Sequence, residues 1–342
     1  MELLTLLTLI VAMALGVGIG VFTGLLPGIH INLVAAIIAS LAINADATAS
    51  LSLAVFIVAM SISHVFHDFL PSVFLGFSES DSALAVLPGH RMLLRGEGRK
   101  AVLLAAFGGL VGILALVLLS PLLLSMIKPI FSATKSRIWL ILIAVIAVHF
   151  LKNRKPKAIA LNALVLTLSG LFGIAVFSLP SINQPLLPMF SGLFGVSSLV
   201  GGLLNHSSFP VQRQSAEIKI NKPIRVAKLL AVGLFSSSLM GLFPALGPAQ
   251  AAMLGTTAIK KIRAEAYMFL LGVIASSSML FAVLTLYSFG KARNGSIAVM
   301  GNILGQALTA KSTILLLIVA VVAAAISCIS AVFISRLFLS LM

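Results

Sequence analysis

Apolar residues run through this chain in long uninterrupted blocks, at about 3–26, 28–45, 49–75, 99–127, 138–151, 158–180, 186–205, 226–245, 246–259, 264–290, 296–310 and 312–342. Helix-length blocks of this kind predict α-helices that cross a bilayer, because a span needs about 20 apolar residues. Strands of a membrane barrel would alternate apolar and polar positions instead. Several blocks are too short for a full span, and they fall in neighbouring pairs separated by Gly and Pro. The pairs 3–26 with 28–45, and 226–245 with 246–259, therefore read as broken or re-entrant helices. Irregular backbone at membrane depth is tolerated where protein or a water-lined cavity covers it.

Composition strengthens this picture. Of 342 residues, 60% are hydrophobic and 9% charged. A soluble domain has about 25% charged residues, so a water-soluble enzyme and a disordered chain are both excluded. The expected fold class is an all-α polytopic membrane protein. The net charge of +15 is carried by short segments between apolar blocks, where it orients the chain in the membrane and does not mark a nucleic-acid partner. Cys328 is the single cysteine and lies in an apolar block, so no disulfide forms within the chain. No basic region precedes the first apolar block, which argues against a cleaved signal peptide.

An internal repeat appears when the chain is shifted by 217 residues. Gly16, Gly20, Gly24, Leu25 and Pro27 then fall on Gly233, Ser237, Gly241, Leu242 and Pro244. Each copy has a small residue at every fourth position, ending at a proline; on a helix this is a smooth stripe that lets a neighbour approach closely. The first pair of blocks has no Lys or Arg at its ends, whereas Arg225, Lys228, Lys260, Lys261 and Arg263 flank the second. The positive-inside rule then turns the two copies in opposite directions. Lys128, Lys135, Arg137, Lys291, Arg293 and Lys311 fall outside, and the other Lys and Arg of the 23 fall inside. The expected organisation is a first inverted repeat over 1–127, connecting helices and a basic loop over 128–225, and a second inverted repeat over 226–342. The N-terminus is placed outside and the C-terminus in the cytoplasm. Inverted repeats with discontinuous helices are the architecture of secondary transporters, whose site lies between the repeats.

Three groups of residues could carry chemistry. The first is the break Gly24-Leu25-Leu26-Pro27-Gly28-Ile29-His30-Ile31-Asn32. Proline removes a backbone donor and glycine permits a turn, so a half-helix is expected to begin near Gly28 with free N–H groups. Such an N-terminus attracts anions, and His30 and Asn32 could donate hydrogen bonds there. In the second copy Pro244, Gly247 and Gln250 hold the corresponding positions. Gly24, Pro27, Gly28, His30, Asn32, Pro244, Gly247 and Gln250 are thus the candidate substrate-binding residues. The bland alternative is a pair of structural kinks.

The second group comprises His64, His67, Asp68, Ser72 and Ser78. Ionisable residues at membrane depth are costly and commonly functional, which makes these the candidates for a coupling-ion or proton path. No Cys and no further His-rich motif supports a metal site. Glu79 and Asp81 are read as part of a loop. The third group, Ser276-Ser277-Ser278, Ser288, Asn294, Ser296, Asn302 and Gln306, offers hydroxyls and amides suited to hydrogen bonding between helices. No catalytic constellation and no nucleotide-binding loop is present, so the chain is not expected to be an enzyme.

Certain stretches resemble the large membrane subunit of tripartite tricarboxylate transporters, the TctA type. They are Gly20-Val21-Phe22-Thr23-Gly24-Leu25-Leu26-Pro27-Gly28, the segment from Ser80 to Met92 continuing through Gly96, Arg99 and Gly108-Gly109, and Ser191-Gly192-Leu193-Phe194-Gly195-Val196-Ser197-Ser198. The chain departs from the pattern at His30, where a small residue is expected, and at Pro244-Ala245, where the second Pro-Gly is expected. The resemblance implies a secondary transporter of an anionic carboxylate-type solute, driven by a cation or proton gradient. It also implies a small membrane subunit and an extracytoplasmic binding protein as partners. No cofactor is expected beyond Na+ or H+ as the coupling ion. A runner-up is a polyprenyl-phosphate translocase, since a phosphate headgroup would suit the same helix N-termini; a membrane scaffold without transport is a third alternative.

Overall fold

The computed structural model describes residues 2–26, 29, 31–41, 46–76, 83–152, 156–178, 196, 200, 211–213, 223–243, 251–252, 259 and 262–340. Among them the regular structure is helical, and the expected all-α membrane class holds. Among the described residues, seven helical stretches are long and apolar enough to cross a bilayer: 3–25, 47–74, 98–140, 156–177, 225–242, 264–289 and 310–340.

The helices of the first part are α1 (Glu2–Leu25), α2 (Ile31–Leu41), α3 (Ala47–His67), α4 (Phe69–Phe74), α5 (Ala83–Leu93) and α6 (Gly98–Thr134). Then come α7 (Ile138–Lys152) and α8 (Pro156–Phe177). The last part holds α9 (Pro223–Leu242), α10 (Ala264–Phe289), α11 (Gly295–Leu304) and α12 (Ala310–Ser340). The chain forms two compact units, one of residues 1–133 with 209–342 and one of residues 134–208. The smaller unit falls within the expected connecting segment. Its helix α8 buries none of its apolar residues, a surface suited to lipid.

Three features differ from expectation. The half-helix after the first break starts at Ile31 and not near Gly28. A helix over Ala83–Leu93 occupies a stretch in which Pro88, Gly89, His90 and Arg91 hid any apolar block. α6 also runs past the end of its apolar block at 127, through Pro121 and Pro129, to Thr134. Membrane helices tolerate such prolines because neighbours satisfy the freed backbone groups.

Within the larger unit, the core is built on α3 and α10. His64, Phe66 and Phe74 in the first half are buried, as are Met268, Val273 and Phe281 in the second. The 217-residue shift carries α1 onto α9 and places the start of α3 on that of α10. Contacts follow the same shift. A Cβ at Gly16 would strike the Phe56 carbonyl, and one at Gly233 would strike Val273, the residue equivalent to Phe56. Gly24 packs against His64, and Gly241 against Phe281, the equivalent of His64.

The direction of each helix follows from these contacts. Gly16, Gly20 and Gly24 meet Phe56, Met60 and His64 in turn, so α1 and α3 run parallel. Gly112 lies against Val273 and Ser277, and Gly272 against Ala105, which sets α6 parallel to α10. Lys100 at the start of α6 is 3.7 Å from Glu265 at the start of α10. That end of the bundle also receives the end of α3 and α4, since Phe74 lies beside Gly98 and stacks on Phe338 with ring centroids 5.3 Å apart. α3 therefore finishes where α10 begins, and the two shift-related helices run in opposite directions. Each also packs on the last helices of the other copy: α3 on α11 and α12, α10 on α5 and α6.

Candidate functional site

Few residues separate α1 from α2. Leu26 N–H still donates to the Phe22 carbonyl at 3.1 Å, Ile29 N–H reaches the Leu26 carbonyl at 3.4 Å, and α2 starts at Ile31. α2 has 11 residues, or about 16 Å at 1.5 Å per residue, half of a bilayer core of about 30 Å. It is a half-helix, as its sequence predicts.

The smooth face of α1 brings its last turn against the buried polar end of α3. A Cβ at Gly24 would come within 2.6 Å of the His64 carbonyl oxygen and 2.8 Å of His67 Cβ. Only glycine allows that approach, so Gly24 of the first candidate group lies beside His64 and His67 of the second. Beside Gly24, Thr23 is buried, and its Oγ1 is 3.1 Å from His64 Nδ1. One turn on, His67 is fully buried, with Nδ1 2.7 Å from the Ser63 carbonyl and Nε2 2.8 Å from Ser330 Oγ of α12. Asp68 is also buried, and its carbonyl accepts a 2.8 Å hydrogen bond from Ser72 Oγ. The α3–α4 junction thus keeps its polar groups inside the protein and away from lipid. Among the described residues no group of three metal-ligating side chains forms.

Asn32 sits at the second position of α2 and turns toward α11. Its Oδ1 accepts from Ser296 N–H at 2.8 Å. Asn294 caps the same helix: its Oδ1 accepts from Ser296 N–H at 2.9 Å, Ser296 Oγ at 2.6 Å and Ile297 N–H at 3.3 Å. The Ser296 hydroxyl hydrogen is committed to Asn294, so Ser61 Oγ, 2.8 Å away, is the donor in the Ser61–Ser296 pair. A Cβ at Gly295 would overlap the Asn32 amide. The N-terminus of α11 is thereby filled by two amide oxygens, one from each copy. Ser276, from the third candidate group, donates to the Gly109 carbonyl at 3.0 Å and ties α10 to α6.

Pro27, Gly28, His30, Ser78, Pro244, Gly247 and Gln250 lie outside the described residues. Two residues absent from the sequence reading have clear roles. Ser330 meets His67 across the helix contact. Gln212 fastens the turn between α5 and α6, accepting from Gly98 N–H at 3.1 Å and donating to the Leu93 carbonyl at 2.9 Å. Gly96 in that turn has φ 76°, a left-handed conformation that favours glycine. A serine or glutamine among apolar neighbours gives no local signal. The shift does single out Ser330, since the residue 217 positions earlier is Ile113.

An uncharacterized protein of Methanocaldococcus jannaschii, MJ1079, is 33% identical over 202 residues, which cover 55% of this chain and 47% of that protein. The match thus spans about half the length of that relative. No solved structure matches the chain. The model of the tripartite tricarboxylate transporter TctA family matches residues 10–342. With that match over nearly its whole length, this multi-pass membrane chain belongs to the TctA family of tripartite tricarboxylate transporters.

Proposed function

We propose that the chain is a secondary transporter that moves an anionic, carboxylate-type solute by alternating access between two inverted repeats, coupled to a proton or cation gradient. The observation that carries this reading is the position of Gly24, in the last turn of α1. It lies against a buried cluster of His64, His67 and Asp68, and His67 meets Ser330 of α12 there. Family membership supports the transport class. The antiparallel course of α3 and α10, and their exchange of packing partners, support the inverted relation of 1–127 to 226–342, with 128–225 between them. Such repeats can rock about a site at their interface.

In this mechanism Gly24, Pro27, Gly28, His30 and Asn32 hold the solute from the first repeat, and Pro244, Gly247 and Gln250 hold it from the second. Backbone N–H groups at the breaks supply fixed positive dipoles for a carboxylate. His64, His67, Asp68, Ser72 and Ser78 form the path of the coupling ion. The basic end of the bundle, with Arg95, Lys100, Arg263 and Arg336, faces the cytoplasm by the positive-inside rule, leaving the N-terminus outside. A small membrane subunit and an extracytoplasmic binding protein are the partners that family membership suggests.

The test uses purified protein in liposomes with radiolabelled citrate or succinate, under an imposed proton or sodium gradient. Accumulation that follows one gradient and collapses with it is the expected result. Failure to accumulate either acid under either gradient, with a melting-temperature rise only for a short polyprenyl phosphate, would replace the reading with lipid-phosphate translocation. A ligand at 100 times its Kd that binds only the folded state should add about 2.7 kcal/mol of stability.

A further inference from the structure

We propose that His67 is the proton-binding residue of the transport cycle, and that Ser330 passes its protonation state across the contact between the two repeats. The inference rests on the transporter reading above and narrows its coupling ion to a proton. Its warrant is the set of hydrogen bonds around one imidazole. His67 Nδ1 faces the Ser63 carbonyl at 2.7 Å. A carbonyl only accepts, so Nδ1 carries a hydrogen in every state of the ring. Proton uptake and release are therefore confined to Nε2.

Nε2 lies 2.8 Å from Ser330 Oγ, and that hydroxyl also lies 3.1 Å from the Ser327 carbonyl. One hydroxyl hydrogen thus has two acceptors. With the ring neutral, Ser330 donates to Nε2. When a proton from water binds Nε2, the new N–H donates to Ser330 Oγ, and the hydroxyl hydrogen turns to the Ser327 carbonyl. Release to the opposite side reverses both turns. Both states keep the His67–Ser330 hydrogen bond with the heavy atoms in place. The difference is read on α12, a helix of the second repeat, where the Ser327 carbonyl gains or loses a donor.

The repeat itself argues that the polar pair is not there for packing. The residues related to His67 and Ser330 by the 217-residue shift are Leu284 and Ile113, and both are fully buried. His64 likewise corresponds to buried Phe281. An apolar pair thus serves the corresponding positions of the other copy, while the first copy carries an ionisable ring at a place where such groups are expensive. His64 is a weaker candidate, because its Nδ1 contact with Thr23 stays within the first repeat.

Titratable groups on the helices packed against α3 are few. His64 interacts electrostatically with His67, and Asp68 follows it in the chain. On the helices packed against α3, α12 brings Cys328 and Arg336, and α10 brings Glu265 and Tyr267. Glu2 on α1, Lys311 on α12 and Tyr287 on α10 lie toward the opposite end, and α2, α4 and α11 bring none.

The test has two arms. In the first, protein labelled with 15N-histidine is titrated in bilayers by solid-state NMR from about pH 9 to about pH 4, a range that brackets ordinary histidine titration. His67→Leu/Ser330→Ile assigns the signal; it reproduces the apolar pair of the other copy, and its melting curve reports that it folds. The expected signal keeps Nδ1 protonated throughout while Nε2 gains its proton on acidification. A neutral ring protonated on Nε2, or an Nε2 that never titrates, overturns the proposal. In the second arm, citrate or succinate uptake is driven by an imposed proton gradient. The double variant is expected to fall to the level seen without a gradient, and Ser330→Thr, which keeps the hydroxyl, to retain proton-driven uptake. A folded double variant that still follows the proton gradient overturns the proposal and leaves the transporter reading intact. If wild-type protein moves neither acid, the transporter reading fails, and the NMR arm alone decides proton binding at His67.

Discussion

Ser61 Oγ donates to Ser296 Oγ at 2.8 Å across 235 residues of chain, joining α3 to α11. Around that bond, Asn32 and Asn294 both accept from Ser296 N–H. The two amides are unequal. Asn294 also accepts from Ser296 Oγ and Ile297 N–H, so it caps the helix alone if Asn32 is lost. Asn32→Ala is expected to cost about 0.6 kcal/mol, the average of a hydrogen bond between membrane helices. Asn294→Ala removes a helix cap and should cost about 1 kcal/mol or more. Unfolding curves of the two single variants and the double variant check this. Equal losses at the two positions would contradict the cap assignment.

Glycine positions on α1 give a sharper contrast. A Cβ at Gly20 would meet the Met60 carbonyl and Ser63 Cβ, whereas one at Gly18 meets no atom within 4 Å among the described residues. Gly20→Ala should therefore destabilise by about 1–3 kcal/mol through overpacking. Gly18→Ala should be neutral or gain up to about 1 kcal/mol in helix propensity. Melting midpoints in one detergent compare the pair directly, and the same loss at both positions would place the α1–α3 contact elsewhere.

How far the fold can be read from the sequence depends on how local its signals are. The long spans are legible because lipid demands an apolar block as long as the bilayer is thick. α5 is not, because Pro88, Gly89, His90 and Arg91 hide its helix among residues that usually mark a turn. The shift of 217 residues marks matching small-residue stripes on α1 and α9; that these stripes face α3 and α10 comes from the contacts. Nor does the shift forecast that Gly24 and the His64–His67–Asp68 cluster share one place; that follows from Gly24 pressing on α3. The residue types of the candidate site are thus legible and their hydrogen bonds are not. Asn32, read as a donor to an anion, has its oxygen engaged with Ser296 N–H. The role of Ser330 depends on a helix 263 residues away in sequence from His67.

Sidedness is testable through the charged ends. Lys100 and Glu265 mark one end of the bundle, 3.7 Å apart. Lys128 of α6 and Lys291, just after α10, mark the other, where Phe131 and Phe289 stack with ring centroids 4.1 Å apart. In a Cys328→Ser background, Lys128→Cys and Lys291→Cys should react with a membrane-impermeant maleimide in intact cells, and Lys100→Cys only after permeabilisation. The reverse pattern would turn the protein over in the membrane while leaving its two repeats inverted.

The Lys100–Glu265 pair also probes the inverted relation itself, because it joins the first turns of α6 and α10. Lys100 has Glu97 as a second partner at 3.5 Å, and Glu97 lies 4.0 Å from Arg213 as well. Both members of the pair are partly exposed, at 24% and 38% of their side-chain surface, so solvent screens their attraction. A double-mutant cycle between Lys100→Met and Glu265→Gln should give a coupling below about 1 kcal/mol that shrinks with added salt. Geometry gives a stronger readout than energy here. Lys100→Cys/Glu265→Cys should cross-link with a short bifunctional reagent, while Lys100→Cys/Tyr287→Cys, which pairs opposite ends of the two helices, should not. Cross-linking of the second pair alone would mean that α6 and α10 run antiparallel, and the two copies would no longer be related by inversion.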